Sequence, residues 1–449
     1  MCSKPGKTLS RVLQRIVDVR DDEIRALILS AAYFFCILSA YYVIRPIRDE
    51  MGVAGGVRNL PWLFTGTLLS MLILNPIFAG LVVKFSRRRF VSMTYRFFIA
   101  NLIIFFVALQ VLPQSYQVWI GRTLFVWTSV FNLFVVSIFW AFMADVFRTG
   151  QSKRLFGFIG VGGTLGGLFG AAITASLVHR LGAANLLLIS AMLLEMAVLF
   201  VRQLSDLFSS LRRARGIDSD EEQPIGGSVL AGFSHVVRSP YLLGICGYML
   251  MYTLASTTLY FHQAQIADQY FLDRAARTAF FAKLDFAVNA LAIVTQVFLT
   301  GRIIKVLGVA MTLALLPALC VVGFTAFGLL PTLAILIVFQ VLRRAGEFAV
   351  ARPTRETLYT VVSREDRYKA KSLIDTFVYR SGDQIAAWSY TLVTWLGLSM
   401  AAISFAVAPL AGVWLLIGLW LGRRQHSIER QQASGETRQV GGATHGISL

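Results

Sequence analysis

The chain has 449 residues, of which 56% are apolar and only 15% charged, against roughly 25% charged in ordinary soluble domains. That balance excludes a soluble globular protein and points to a polytopic membrane protein. A formal net charge of +18 would suit a nucleic-acid binder, but the basic residues fall in alternate loops between apolar runs, so they read as membrane anchoring and no nucleic-acid partner is expected.

Residues 1–25 are polar and basic, with Lys4, Lys7, Arg11, Arg15, Arg20 and Arg25, and no cleavable signal precedes the first apolar run. Apolar runs near the ~20 residues needed to cross the hydrocarbon follow at 26–45, 60–83, 91–112, 118–145, 155–178, 184–202, 241–263, 276–299, 309–328, 332–350, 371–396 and 400–421. They are continuous rather than alternating, which argues for helices over a barrel. The expected fold is an all-α polytopic membrane protein with twelve transmembrane helices. Basic clusters at Lys84/Arg87/Arg88/Arg89, Arg148/Lys153/Arg154, Arg212/Arg213/Arg215, Arg302/Lys305, 352–371 and Arg423/Arg424 contrast with loops 113–117, 329–331 and 397–399, which hold no Lys or Arg. Both termini are therefore expected in the cytoplasm, with the protein in the cell (inner) membrane.

The polar stretch 203–239, centred on RRARGIDSDEEQP, divides the spans into six-helix halves at 26–202 and 240–421. Its downstream part sets Val229, Phe233, Val236 and Val237 on one face, which predicts a short interfacial helix. From 422 to 449 the chain is polar and reads as a disordered tail.

The halves resemble each other weakly. YYVIRPIRDE from Tyr41 aligns with YFHQAQIADQ from Tyr260, setting Asp49 against Asp268; GLVVK at 80–84 aligns with GRIIK at 301–305, and Arg154 with Lys371. A parallel repeat of this kind fits a six-plus-six transporter of the major facilitator type, with its substrate near the middle of the membrane. The glycine-plus-basic loops after spans two and eight sit where such transporters carry a cytoplasmic motif, although its usual Asp is lacking.

Span five reads RLFGFIGVGGTLGGLFGAA. Its glycines fail the dinucleotide spacing at Leu165 and follow no strand. Gly162, Gly166 and Gly170 recur every four residues, as do Gly163 and Gly167, the spacing of close helix packing in lipid.

Charges inside spans are expensive and normally face a bundle interior or cavity. Arg45, Arg48 and Asp49 end the first span; Arg96, Arg122, Asp145 and Glu195 follow, then Lys283 and Asp285 in span eight, and Arg343, Arg344 and Glu347 in span ten. Arg45 and Arg48 lie one turn apart, so both guanidiniums can serve a phosphate or carboxylate or form an interfacial cluster paired within itself. Bases outnumber acids, which favours an anionic substrate. Lys283–Asp285 and Arg343/Arg344–Glu347 read equally as structural pairs. His262, late in span seven, is a minor candidate for substrate or proton contact. The cysteines, Cys2, Cys36, Cys246 and Cys320, lack metal-ligand spacing. No catalytic grouping, P-loop or zinc spacing is present, so neither an enzyme nor a cofactor is expected.

The most charged stretch is 351–383, ARPTRETLYTVVSREDRYKAKSLIDTFVYRSGD, caught between apolar runs. RPTRETLY at 352–359 resembles the D-P-T-K-E-x-x-Y segment of the nucleotide (ATP/ADP) translocases of plastids and obligate intracellular bacteria. KAKSLID at 369–375 and RSG at 380–382 resemble that family's K-x-K-G-K-A-A-I-D and R-L-G-K, and IRPIRD at 44–49 its L-R-x-L-K-D. FWAFMADVFRTGQSKRLFGFIGVGG at 139–163 and SPYLLGI at 239–245 are similar to further segments, so the likeness runs from about residue 30 to 420. It implies a major facilitator relative that exchanges nucleotides such as ATP and ADP. Arg45, Arg48 and Asp49 would then line the site from the first half, and Arg355, Glu356, Lys371, Asp375 and Arg380 from the second. Arg48 replaces the family's lysine, Arg352 its aspartate, and Asp383 stands where a lysine is expected, which disfavours a tetra-anionic nucleotide relative to a smaller anion.

The leading expectation is a monomeric secondary transporter that exchanges or imports an organic anion, such as a nucleotide or phosphorylated metabolite, by alternating access. Two alternatives stand beside it: a proton-coupled exporter of small organic molecules using Asp285, Glu347 or Asp383, and a non-transporting membrane sensor on the same fold.

Overall fold

In the computed structural model the described residues are 19–20, 23–84, 87–147, 149–215, 239–362, 371 and 373–444, and they form helices joined by short turns. The helices are α1 (Ile24–Ala54), α2 (Leu60–Lys84), α3 (Arg87–Val111), α4 (Gln117–Val146), α5 (Thr149–Arg215), α6 (Pro240–Tyr270), α7 (Arg274–Phe298), α8 (Thr300–Leu329), α9 (Leu333–Gly346), α10 (Arg352–Thr357), α11 (Tyr379–Trp395) and α12 (Met400–Thr444). The all-helical architecture agrees with the sequence reading. Among the described residues nine helices are long and apolar enough to cross a membrane. One of them is α5, whose 67 residues would extend ~100 Å if straight. It breaks at Gly182, where φ is +76°, a conformation that glycine alone adopts without a steric penalty. The fifth and sixth predicted spans lie on either side of that break.

Two further segments combine helix with charge. After α9 comes a π-helical turn, Glu347–Ala351, and then α10; a second π turn, Ile374–Val378, leads into α11. Such turns add a residue to the helical ladder and re-aim the side chains around them, frequently at functional sites.

α12 departs from expectation. The tail predicted to be disordered from 422 is helical as far as Thr444. Arg, Gln and Glu are good helix formers, and Gln425 and His426 meet Glu429 across one turn. The predicted interfacial helix at 229–237, the loop 363–370, most of the N-terminal segment and residues 445–449 lie outside the described residues.

The chain forms two compact units, Met1–Glu222 with Ala264–Ile293, and Gln223–Gln263 with Val294–Leu449. In the first, α1 lies backbone to backbone against α5. A Cβ at Gly162 would come within 2.6 Å of the Ala31 carbonyl oxygen, and closer still to Phe35 at Gly166 and Ser39 at Gly170. The two helices thus share a repeat of four, and the approach brings hydroxyls onto facing carbonyls: Ser39 donates to Gly166 at 3.1 Å, Thr174 to Val43 at 3.2 Å and Ser190 to Ala40 at 3.0 Å. The glycines of span five are packing residues, because contact must replace the hydrophobic drive in lipid. Below them, Phe34 stacks on Phe139 at 4.2 Å, and the hydroxyls of Tyr33 and Tyr95 meet in the core.

In the second unit Tyr248 donates to the Leu313 carbonyl at 3.0 Å, tying α6 to α8. A Cβ at Gly422 would meet the Ala310 backbone, so α12 also lies close against α8. Arg154 and Lys371, which the internal repeat aligns, each pair with a glutamate of their own unit: Arg154 with Glu23 at 3.2 Å, and Lys371 with Glu356.

Candidate functional site

Within the first unit the charges at the C-terminal end of α1 are paired. Arg45 Nη1 lies 3.3 Å from Asp285 on α7, and Arg48 Nη1 lies 3.1 Å from Asp49. The Arg48 guanidinium also sits 3.9 Å above the Phe125 ring. Glu50, 1% exposed, takes Arg274 Nε at 2.9 Å and Nη2 at 3.1 Å, in the two-pronged geometry that suits a guanidinium to a carboxylate. Arg277 reaches Glu50 at 3.4 Å and Asp268 at 3.2 Å, and Gln117 accepts from Arg274 at 2.9 Å. Four arginines here each find a carboxylate.

The expected Lys283–Asp285 pair does not form. Residues two apart on a helix point to different faces, and Lys283 is exposed while Asp285 is buried against Arg45. Glu50, Arg274 and Arg277 were not singled out from the sequence: Glu50 stands beside the more conspicuous Asp49, and its partners lie more than 200 positions away.

The second unit is built differently. Arg343 and Arg344 on α9, Glu347 on the π turn and Arg355 on α10 are all buried. Glu347 pairs with Arg355 at 3.2 Å, not with Arg343, because the π turn aims the carboxylate toward α10. Arg343 is 4% exposed, and its hydrogen bonds go to the Gln340 carboxamide oxygen, from Nε at 3.3 Å and Nη2 at 3.2 Å. Gln340 in turn donates to Gln263 at 2.5 Å. Among the described residues no carboxylate pairs with Arg343. Gln340, one turn before it, is the signal in the sequence that points to this contact.

Asp383, 7% exposed, accepts from Thr257 at 3.0 Å and lies 3.6 Å from Arg380. Tyr252 is within electrostatic reach of Glu347, Arg343, Arg355 and Asp383. Asp375 is exposed on the second π turn, and Glu356 and Lys371 form a solvent-facing pair apart from the buried group. His262 is held between Tyr390 and Ser404 at 3.0 Å each and stacks on Phe327; both ring nitrogens are engaged within the core.

Outside the spans, Glu23 closes the start of α1. It accepts from Gln151 at 2.8 Å and from the Arg20 amide at 3.1 Å besides pairing with Arg154. Burial pushes its pKa up, but these hydrogen bonds and the Arg154 charge outweigh that effect and hold it below its ordinary value.

Over residues 26–382 the sequence matches the Major Facilitator Superfamily. The chain belongs to that superfamily. Solved structures of the same fold include a POT family transporter in complex with a thioalcohol-conjugated peptide, at TM-score 0.60 and 12% identity over 89% of this chain and 96% of that one. The nucleoside transporter NupG superposes at TM-score 0.58 and 12% identity, over 91% of this chain and 99% of its own. A bacterial homologue of the human lysosomal transporter Spinster, inward-facing and unoccupied, does so at TM-score 0.52 and 12% identity over 92% and 98%. No curated protein sequence matches this chain. Superfamily membership and the apolar helices make it a multi-pass membrane transporter rather than an enzyme. The match is to the superfamily as a whole; the likeness to nucleotide translocases rests on the sequence segments alone.

Proposed function

We propose that this transporter carries an organic anion, a nucleotide or phosphorylated metabolite, by exchange or import through alternating access, and that Arg343 supplies the counter-charge. The observation that carries this reading is a guanidinium 4% exposed whose hydrogen bonds, among the described residues, reach only a neutral carboxamide. A buried charge without an opposite charge costs several kcal/mol, so natural sequences keep one where a ligand completes it. Gln340 and Gln263 fix the guanidinium without cancelling it, which leaves its attraction for an incoming anion intact.

Arg355 and Arg380 are partly neutralised by Glu347 and Asp383. The buried arginines outnumber the buried carboxylates here, which suits an anion, and Asp383, where the nucleotide carriers have lysine, favours a mono- or dianionic substrate over a tetra-anion. The acids that a proton-coupled exporter would use, Asp285, Glu347 and Asp383, each face a guanidinium, so none is the isolated carboxylate that mechanism relies on.

The test is counterflow of labelled ATP, ADP and sugar phosphates into preloaded liposomes holding the purified protein. Wild type should exchange at least one of these, and Arg343→Gln should lower the rate by about tenfold to a hundredfold, the ~1.5–3 kcal/mol of a hydrogen bond to a charged group. Correctly folded wild-type protein that carries no anion, or an Arg343→Gln variant as active as wild type, would refute the proposal.

A further inference from the structure

In the first unit a groove of about 620 Å³ runs between α2 and α4. Its floor is apolar, with Gly66, Val126 and Trp127, and a Cβ on Gly66 would already touch Val126 at 3.4 Å. Its mouth carries Trp62 and Trp119, each 64% exposed, and Arg122. The Arg122 guanidinium lies 4.7 Å from the Trp119 ring centre, and its Nε is buried without a hydrogen-bond partner among the described residues. No carboxylate among those residues pairs with it, in contrast to Arg45, Arg48, Arg274 and Arg277.

Arg122 is five residues into α4, roughly 8 Å along the axis. The first turn of that helix contains no acidic residue, so its positive dipole end adds to the arginine's field. Tryptophan pairs concentrate at the level of lipid headgroups, where one face of the ring is apolar and its N–H is wet. An apolar trough with two exposed tryptophans at its mouth, beside a cation that no described carboxylate pairs with, is complementary to one kind of molecule, an acyl chain ending in a phosphodiester.

We propose that the α2–α4 groove is a binding site for an anionic phospholipid, with the phosphate on Arg122 beside Trp119 and Trp62 and one acyl chain lying over Gly66, Val126 and Trp127. The groove shares no residue with those assigned to transport, and the proposal stands or falls independently of the substrate.

The experiment is tryptophan quenching of the full chain in phosphatidylcholine vesicles doped with either dibrominated phosphatidylglycerol or dibrominated phosphatidylcholine. Wild type should prefer phosphatidylglycerol about fivefold, the effect of one arginine near an anionic headgroup. Arg122→Gln should abolish the preference, and Arg122→Lys should keep part of it. Val126→Phe, which fills the floor, adds no tryptophan to the signal and leaves the charge in place, should weaken quenching by both lipids and remains informative if Arg122→Gln fails to fold. Glycerol 3-phosphate added to the vesicles should not displace the lipid, since it lacks the chain. Equal quenching by both lipids in wild type, an unchanged preference in Arg122→Gln, displacement by glycerol 3-phosphate, or unaltered quenching in Val126→Phe would overturn the proposal.

Discussion

Arg277 at the start of α7 and Arg343 near the end of α9 are buried to a similar degree, 9% and 4% exposed, yet their surroundings differ in kind. Arg277 sits between Glu50 and Asp268, in a cluster where Arg45, Arg48 and Arg274 also have carboxylates. Arg343 has Gln340. Opposite charges at hydrogen-bond distance satisfy each other and leave little field for a ligand, whereas an amide orients a cation and preserves its field. Burial of charge in a membrane protein is thus not one signal but two, and the partner tells them apart.

If the Glu347–Arg355 ion pair holds the α9–α10 corner, the largest effect should come from breaking that pair. Glu347→Gln leaves Arg355 buried without its carboxylate, and removing one partner of a buried pair costs about 3–5 kcal/mol; thermal melting in detergent should fall by many degrees. A melting point within a degree of wild type would show that the corner does not depend on the pair.

Glu50→Gln is expected to cost less, about 1–3 kcal/mol, because Arg277 keeps Asp268 and Arg274 keeps Gln117. Its readout is the same melting curve, which should fall between wild type and Glu347→Gln. A loss equal to that of Glu347→Gln would mean that the two clusters are equally critical and would blunt the contrast between them.

The smallest effect is one of pH. Glu23 has a lowered pKa in the folded chain, so its contribution to stability is present above the unfolded value of about 4.3 and fades as the pH falls through the lowered value. Melting temperature measured from pH 7 to pH 3 should drop less steeply below pH 4.3 in Glu23→Gln than in wild type. Identical slopes would remove Glu23 from the set of structural charges.

Much of the fold was legible because membrane spans and glycine spacing are local signals. A run of apolar residues near Phe125 or Leu316 needs no knowledge of its neighbours, and Gly162, Gly166 and Gly170 announce a flat helix face by their period alone. The partners of charges were not legible, since Asp285 reaches back to Arg45 and Arg274 to Glu50 across about half of the chain. Nearness in sequence misled at Lys283–Asp285, where helix geometry turns the two apart. It misled again at Glu347, where a π turn that nothing in the residue pattern marks directs the carboxylate to Arg355. The nucleotide-carrier likeness drew attention to 352–383, but the buried group centres on α9 and the start of α10, and of the 369–375 segment Lys371 pairs at the surface with Glu356. Gln340 stands one turn from Arg343 and carries no charge to mark it; in hydrocarbon an amide is costly enough to be a signal of its own.

The most direct test of Arg343 as the counter-charge compares ligand-induced stabilisation in wild type and Arg343→Gln. A ligand that binds only the folded state raises the melting point by mass action, and removal of a buried charge with no carboxylate partner should leave the unliganded melting point unchanged or higher. In a thermal-shift titration with the transported anion, wild type should show a concentration-dependent rise, while Arg343→Gln should start at least as stable and show almost none. A variant that starts as stable as wild type and rises by the same amount would contradict the account.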